Sequence, residues 1–174
     1  MMWPLIRQIS KVGIATESAP AAHDLADAGR IQDEILRILG RALTIREVDA
    51  GSCNGCELEI HAMNNAIYNC ERFGIHFTAS PRFADMLLVT VPVTHNMEIA
   101  LRRTYQATPS PKLVLAVGDC GCNGGIFGES YASLGGVSKV LSVDLEIPGC
   151  PPEPIVILEG ILTAVRYRLK KRAD

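Results

Sequence analysis

No apolar run in this sequence is long enough to cross a bilayer. The longest, such as Met86 to Val93, fall far short of the roughly 20 residues that a hydrocarbon core demands, which argues against a membrane-spanning helix. A surplus of positive charge is missing too: 17 Lys and Arg stand against 19 Asp and Glu, for a net charge of -2. Nucleic acid and anionic bilayers both reward basic surfaces, so neither is expected as the main partner. Met1 to Ser10 lack a sustained apolar stretch, a small-residue cleavage pattern and a twin-arginine signal, so export is not expected. In a reducing compartment the six cysteines are better read as metal ligands or packing groups than as disulfides. Aromatic residues are scarce, at 5%, but 48% of the 174 residues are hydrophobic. A chain of this size can bury a core, and one globular domain is the default.

Residues Lys11 to about Asp27 mix Ala, Pro, Ser and Gly with scattered charge and suggest an arm. From Ala26 to Leu39, the residues Ala28, Ile31, Ile35, Leu36 and Leu39 recur at helical spacing, predicting an amphipathic helix that needs a partner surface. The expected division is therefore an arm and helix over 1–40 and a domain over 41–174. Within the latter a strand over Ala42–Val48 runs into the Gly51–Cys56 loop, and a helix follows from about Glu57 to Arg72, stopping at Gly74. Further strands are predicted at Ile75–Ala79, Asp85–Val93, Lys112–Val117 and Lys139–Glu146. Helices are predicted at Asn96–Ala107 and Pro154–Lys171, the latter with Ile155, Leu158, Leu162 and Val165 on one side. Buried strands alternating with helices predict an α/β, flavodoxin-like, doubly wound parallel sheet with an N-terminal helical arm. Such sheets gather ligands at the carboxyl ends of their strands.

Four cysteines fall at that edge. Cys53 and Cys56 follow the first strand, Cys120 follows the strand from Lys112, and Cys150 follows the strand from Lys139. In a Cys-x-x-Cys pair, one short turn lets both thiolates face the same metal. Zinc, an iron-sulfur cluster, a redox dithiol and simple packing are the alternatives. Structural zinc usually takes two closely spaced pairs, whereas clusters accept well-separated single thiolates and often have a Pro after a ligand, as Pro151 and Pro152 follow Cys150 here. A dithiol at Cys53 and Cys56 leaves Cys120 and Cys150 without a role. Gly51, Gly55, Gly118, Gly121, Gly124, Gly125 and Gly149 lie beside the cysteines. They either let backbone approach the sulfurs or simply mark loops. Cys70 reads as a packing residue. Spacing alone does not choose between Cys120 and Cys122 as the third ligand.

The blocks Gly51-Ser-Cys-Asn-Gly-Cys-Glu57, Gly118-Asp-Cys-Gly-Cys-Asn-Gly-Gly125 and Ile147-Pro-Gly-Cys-Pro-Pro152 together resemble the small subunit of energy-converting, membrane-bound nickel-iron hydrogenases of group 4, including formate hydrogenlyase. They also resemble the homologous terminal-cluster subunit of complex I, over about Leu43 to Leu162. The resemblance implies one 4Fe-4S cluster held by Cys53, Cys56, Cys120 and Cys150. It aligns Cys120 with the ligand and leaves Cys122 as an extra thiol. The complex I subunit begins its motif with two adjacent cysteines, whereas here Asn54 and Gly55 separate the pair, as in hydrogenases. The implied role is electron transfer between a ferredoxin-like iron-sulfur subunit and the nickel-iron site of a hydrogenase large subunit. Integral-membrane subunits are implied in the same complex, at the cytoplasmic face of the inner membrane. Delivery of electrons to quinone is the alternative within the family, and a structural zinc or interaction module the alternative outside it.

Other residues carry weaker signals. Glu57 and Glu59 open a helix, where carboxylates complement the positive end or relay protons. Thr94 is read as an N-cap, with His95 beside it at the cysteine edge. His61 and His76 read as ordinary. Arg102, Arg103 and the basic run Arg166, Arg168, Lys170, Lys171 and Arg172 fit either solvated helix ends or contact with a membrane arm or subunit.

Overall fold

The computed structural model describes residues 33, 35–37, 39–51 and 53–173, with side chains as far as residue 167. The predicted arm lies outside the described residues, as does most of the helix predicted over Ala26–Leu39; its described part, residues 33, 35–37 and 39, is helical. Ile35 is fully buried there.

Seven strands and four α-helices follow in the order β1 (Leu43–Asp49), α1 (Gly55–Ala62), β2 (Ile75–Phe77), β3 (Met86–Thr90), β4 (Val93–Thr94), α2 (His95–Ala107), β5 (Leu113–Val117), α3 (Gly118–Asn123), β6 (Ser133–Gly135), β7 (Leu145–Ile147) and α4 (Pro154–Ala173). Five strands form one sheet in the order β2-β1-β3-β5-β7, and every neighbouring pair is parallel. The chain thus winds outward from β1 in both directions, which is the flavodoxin-like order. β4 and β6 form a separate antiparallel pair.

All five residues of β3 and all five of β5 are buried, as strands covered on both faces must be. Their side chains alternate between two cores. Met86, Leu88 and Leu115 join Ile60 of α1 and Ile157 and Ile161 of α4 on one face. Leu87, Val89, Val114 and Ala116 join Leu101 of α2 and Val137 on the other. The buried stripe of α4 is Ile157, Ile161, Ala164 and Val165, with Leu158 and Leu162 packed beside it. Of the predicted stripe, Val165 lies at its centre and Ile155 at its half-buried margin.

Three predicted elements end differently. The helix predicted to run to Arg72 stops at Ala62, because Asn65 Oδ1 accepts the N–H groups of Ile67 and Tyr68 at 2.8 and 2.9 Å and Asn69 turns through φ 41°. Asparagine side chains that bond nearby backbone compete with the helical ladder in this way. A 3-10 turn, Cys70–Phe73, carries the chain to Gly74, so Cys70 opens that turn rather than riding on a helix. The run Asp85–Val93 is split after Thr90, where Val91 adopts φ 63° ahead of Pro92. The strand expected at Lys139–Glu146 is confined to Leu145–Ile147, since Val137–Lys139 forms a 3-10 turn.

Candidate redox-cofactor site at the carboxyl edge of the sheet

The four site cysteines occupy three loops at one end of the sheet. Cys53 and Cys56 follow β1, Cys120 lies in α3 directly after β5, and Cys150 follows β7. In the sheet, β3 stands between β1 and β5, so its last residue, Thr90, ends at the same edge, between the strands that lead to those loops. Cys53 and Cys150 are exposed, while Cys56 and Cys120 are each 6% exposed.

Two reciprocal hydrogen bonds tie the loops together. Asp119 N–H donates to Gly149 O at 2.8 Å, and Gly149 N–H donates to Asp119 Oδ1 at 2.8 Å. The residue before Cys120 is thereby clamped to the residue before Cys150. Asp119→Ala is expected to cost about 1–3 kcal/mol, the range for losing a hydrogen bond to a charged group, here in a part-buried pair. Asp119→Asn, which keeps the accepting oxygen, is expected to recover most of it in urea unfolding.

Glycine backbone lies against the sulfurs. A Cβ on Gly118 would sit 2.6 Å from Cys56 Sγ and 3.4 Å from Gly149 O, and one on Gly125 would sit 2.5 Å from Cys120 Sγ. At Gly55 the corresponding distances are 3.7 Å to Cys53 Sγ and 3.8 Å to Pro151 Cβ. Gly118 and Gly125 also have φ of 82° and 51°, a region that favours glycine.

Electrostatics place the four sulfurs in one neighbourhood. Burial first, then the charge of Glu57 and then the thiols of Cys53, Cys120 and Cys150 push Cys56 up to about 12. Burial followed by Cys150 and Cys53 pushes Cys120 up. Four thiolates crowded together repel, so the site favours deprotonated sulfur only when a cationic core is present to offset the charge. Among the described residues no three His, Cys, Asp or Glu side chains are arranged to hold a single metal ion. A zinc ion needs its sulfur ligands about 2.3 Å from one point. The donor set is four soft thiols, with the Ile126 main chain hydrogen-bonded to Cys120, which fits an iron-sulfur cluster.

Cys122 faces elsewhere. Its thiol lies 3.8 Å from Ala116 O and packs against the core formed by Val89, Val114 and Ala116. Burial, then Glu146, pushes it up to about 11. Cys70 is fully buried, its thiol donating to Asn64 Oδ1 at 3.0 Å, in keeping with a packing role.

Glu57 is 8% exposed, and accepts the hydroxyl of the fully buried Thr90. It is therefore an interior carboxylate in the first turn of α1. Thr94 does occupy the N-cap position of α2 but makes no side-chain cap; its hydroxyl donates to Ala50 O at 3.1 Å. His95 is exposed and its N–H donates to Ala132 O. His61 acts on Glu47, whose carboxyl is raised mainly by burial and lowered in part by that imidazole. Arg102 pairs with Glu98 at 2.9 Å and donates to Val140 O at 3.1 Å, a solvated helix role. The side chains of residues 168–172 lie outside the described ones.

A flavodoxin-like sheet with four thiols at its ligand-binding edge has the build of an oxidoreductase subunit. The chain belongs to the family described as NADH ubiquinone oxidoreductase, 20 Kd subunit, whose model matches residues 53–164. It is 41% identical over 137 residues to a probable membrane-bound hydrogenase subunit of Pyrococcus furiosus, covering 79% of this chain and 82% of that one. It is 44% identical over 131 residues to formate hydrogenlyase subunit 7 of Escherichia coli, spanning 75% of this chain but 51% of that protein's length. An NADH-quinone oxidoreductase subunit of Desulfovibrio desulfuricans is 44% identical over 124 residues, covering 71% of this chain and 66% of that one. Among solved structures, a chain of an archaeal respiratory membrane complex, the membrane-bound sulfane sulfur reductase, superposes with a TM-score of 0.65 at 35% identity, over 75% of this chain and 73% of that chain. Relatives in this family are subunits of oxidoreductase complexes, and an electron-transfer role goes with it. Among the described residues no helix is long and apolar enough to cross a membrane.

Proposed function

We propose that this chain holds one 4Fe-4S cluster on Cys53, Cys56, Cys120 and Cys150 and carries electrons through it within a membrane-associated hydrogenase complex. The observation that carries the reading is the meeting of these four cysteines at one sheet edge, with glycine backbone against three of the sulfurs and Cys122 turned into the core. A bound cluster would supply reversible one-electron chemistry. The chain's own residues do the rest. Cys56 and Cys120 anchor the buried side, and Cys53 and Cys150 the exposed side. Gly118 and Gly125 leave room for close approach, and the Asp119–Gly149 clamp fixes the distance between two ligand loops.

The donor is a ferredoxin-like subunit and the acceptor the nickel-iron site of a large subunit, with integral-membrane subunits anchoring the assembly at the cytoplasmic face. The spaced Cys53–Cys56 pair and the 41% and 44% identity to hydrogenase and hydrogenlyase subunits favour this partner set. The similarity to NADH-quinone oxidoreductase subunits supports a second reading, delivery of electrons to quinone. The whole complex, purified anaerobically from its host, is expected to contain acid-labile sulfide and to give, on reduction, an electron paramagnetic signal that Cys120→Ser removes. Copurified nickel with hydrogen evolution from a reduced carrier is expected for the first reading; quinone reduction without nickel replaces it with the second. Stoichiometric zinc without sulfide in this chain would overturn both.

A further inference from the structure

Only five polar or charged side chains are buried among the described residues, and two of them, Glu57 and Thr90, meet beside the cysteines. Thr90 is the last residue of β3, the strand flanked by the ligand-bearing strands β1 and β5. The strand ends there because Val91 turns through φ 63°, a conformation costly for a β-branched residue and one that persists only when its surroundings enforce it. Gly121 of α3 lies alongside that turn: a Cβ on it would be in ordinary van der Waals contact, 3.5 Å from Val89 O and 3.6 Å from Val91 N. Thus α3, which carries Cys120, packs beside the end of the strand that carries Thr90. The hydroxyl so placed donates to Glu57 Oε1, and Glu57 directly follows Cys56 in α1.

Burying a carboxylate is costly unless it is hydrogen-bonded, and Glu57, in the first turn of α1, also complements the positive end of that helix. Uptake of one electron adds one negative charge to a group held on the four cysteines. A fixed negative charge in a low-dielectric setting opposes that addition more than it destabilises the oxidised state.

We infer that Thr90 fixes the Glu57 carboxylate beside Cys56, and that this charge lowers the midpoint potential of the group held by the four cysteines. Thr90 is a positioning residue acting through Glu57. The inference rests on the cluster reading above.

The test is a redox titration of the whole purified complex at one fixed pH, followed by electron paramagnetic resonance, with dithionite as the source of the electron. Glu57→Gln is expected to raise the reduced-to-oxidised ratio at a given potential at least tenfold, a shift of about 59 mV upward for a one-electron couple. Thr90→Val is expected to shift in the same direction, and Thr90→Ser to titrate with the unmodified protein. An unchanged midpoint in Glu57→Gln with its signal intact overturns the inference. A shift in Glu57→Gln with none in Thr90→Val overturns the positioning role. Should Glu57→Gln not assemble, the Thr90 pair decides: Val above Ser supports the inference, and coincidence overturns it. Absence, in the unmodified complex, of an iron-sulfur signal that Cys120→Ser removes is a failure of the cluster reading itself, seen before any Glu57 or Thr90 variant is compared, and it overturns the inference too.

Discussion

In a Gly118→Ala complex, iron and acid-labile sulfide bound by this chain are expected to fall at least tenfold. The added Cβ would stand 2.6 Å from Cys56 Sγ, well inside the distance at which a carbon and a sulfur can rest. The backbone there cannot relax easily, because φ is 82° and the next residue, Asp119, is clamped to Gly149. Either Cys56 moves away from its partners or the ligand loops separate. Gly128→Ala is the control. Its φ is 54°, but a Cβ there meets nothing within 4 Å, so it imposes the left-handed backbone penalty of about 1–2 kcal/mol without touching a sulfur. Iron and sulfide are expected to stay at the unmodified level in Gly128→Ala, as measured by metal and sulfide analysis. Equal losses in both variants would mean that backbone strain, and not contact with Cys56, removes the cluster.

The contrast between these glycines bears on what could be read before the fold was known. All lie in one glycine-rich stretch, and composition alone cannot tell a glycine that abuts a sulfur from one that faces open space. What was legible was topology. Continuous apolar runs such as Leu113–Val117 mark buried parallel strands, and strands alternating with helices place the cysteines after β1, β5 and β7 on a single edge. The signals that misled were local. Helical periodicity continued past Ala62 in the sequence, but Asn65 captured two backbone N–H groups. An apolar run through Val93 looked like one strand, yet it breaks where Val91 turns through φ 63°. Asp119 and Thr90 carried a faint signal, as polar residues at the ends of apolar strands, but their roles depend on partners 30 and 33 residues away in sequence.

The choice between Cys120 and Cys122 has the same character, and it yields the second large expected effect. Spacing alone admits either thiol, since both lie in α3 and are separated by one glycine. A helix rotates about 200° over two residues, so two such side chains cannot face the same point. Cys120 lies where Gly125 backbone abuts its sulfur and where Cys150 and Cys53 act on it. Cys122 instead abuts Ala116 O and the core beneath α3. Cys120→Ser is therefore expected to remove most of the iron and sulfide bound by this chain, and the paramagnetic signal that belongs to it. Cys122→Ser is expected to leave cluster content within about twofold of the unmodified complex. Its effect should appear in stability, because a hydroxyl placed among Val89, Val114 and Ala116 exchanges an apolar sulfur for a polar group, at about 1–3 kcal/mol if poorly satisfied. Cys122→Ala separates the two effects, since it removes the sulfur without adding a hydroxyl. If Cys122→Ala loses the cluster while Cys120→Ser keeps it, α3 is rotated about its axis relative to this arrangement and the third ligand is reassigned.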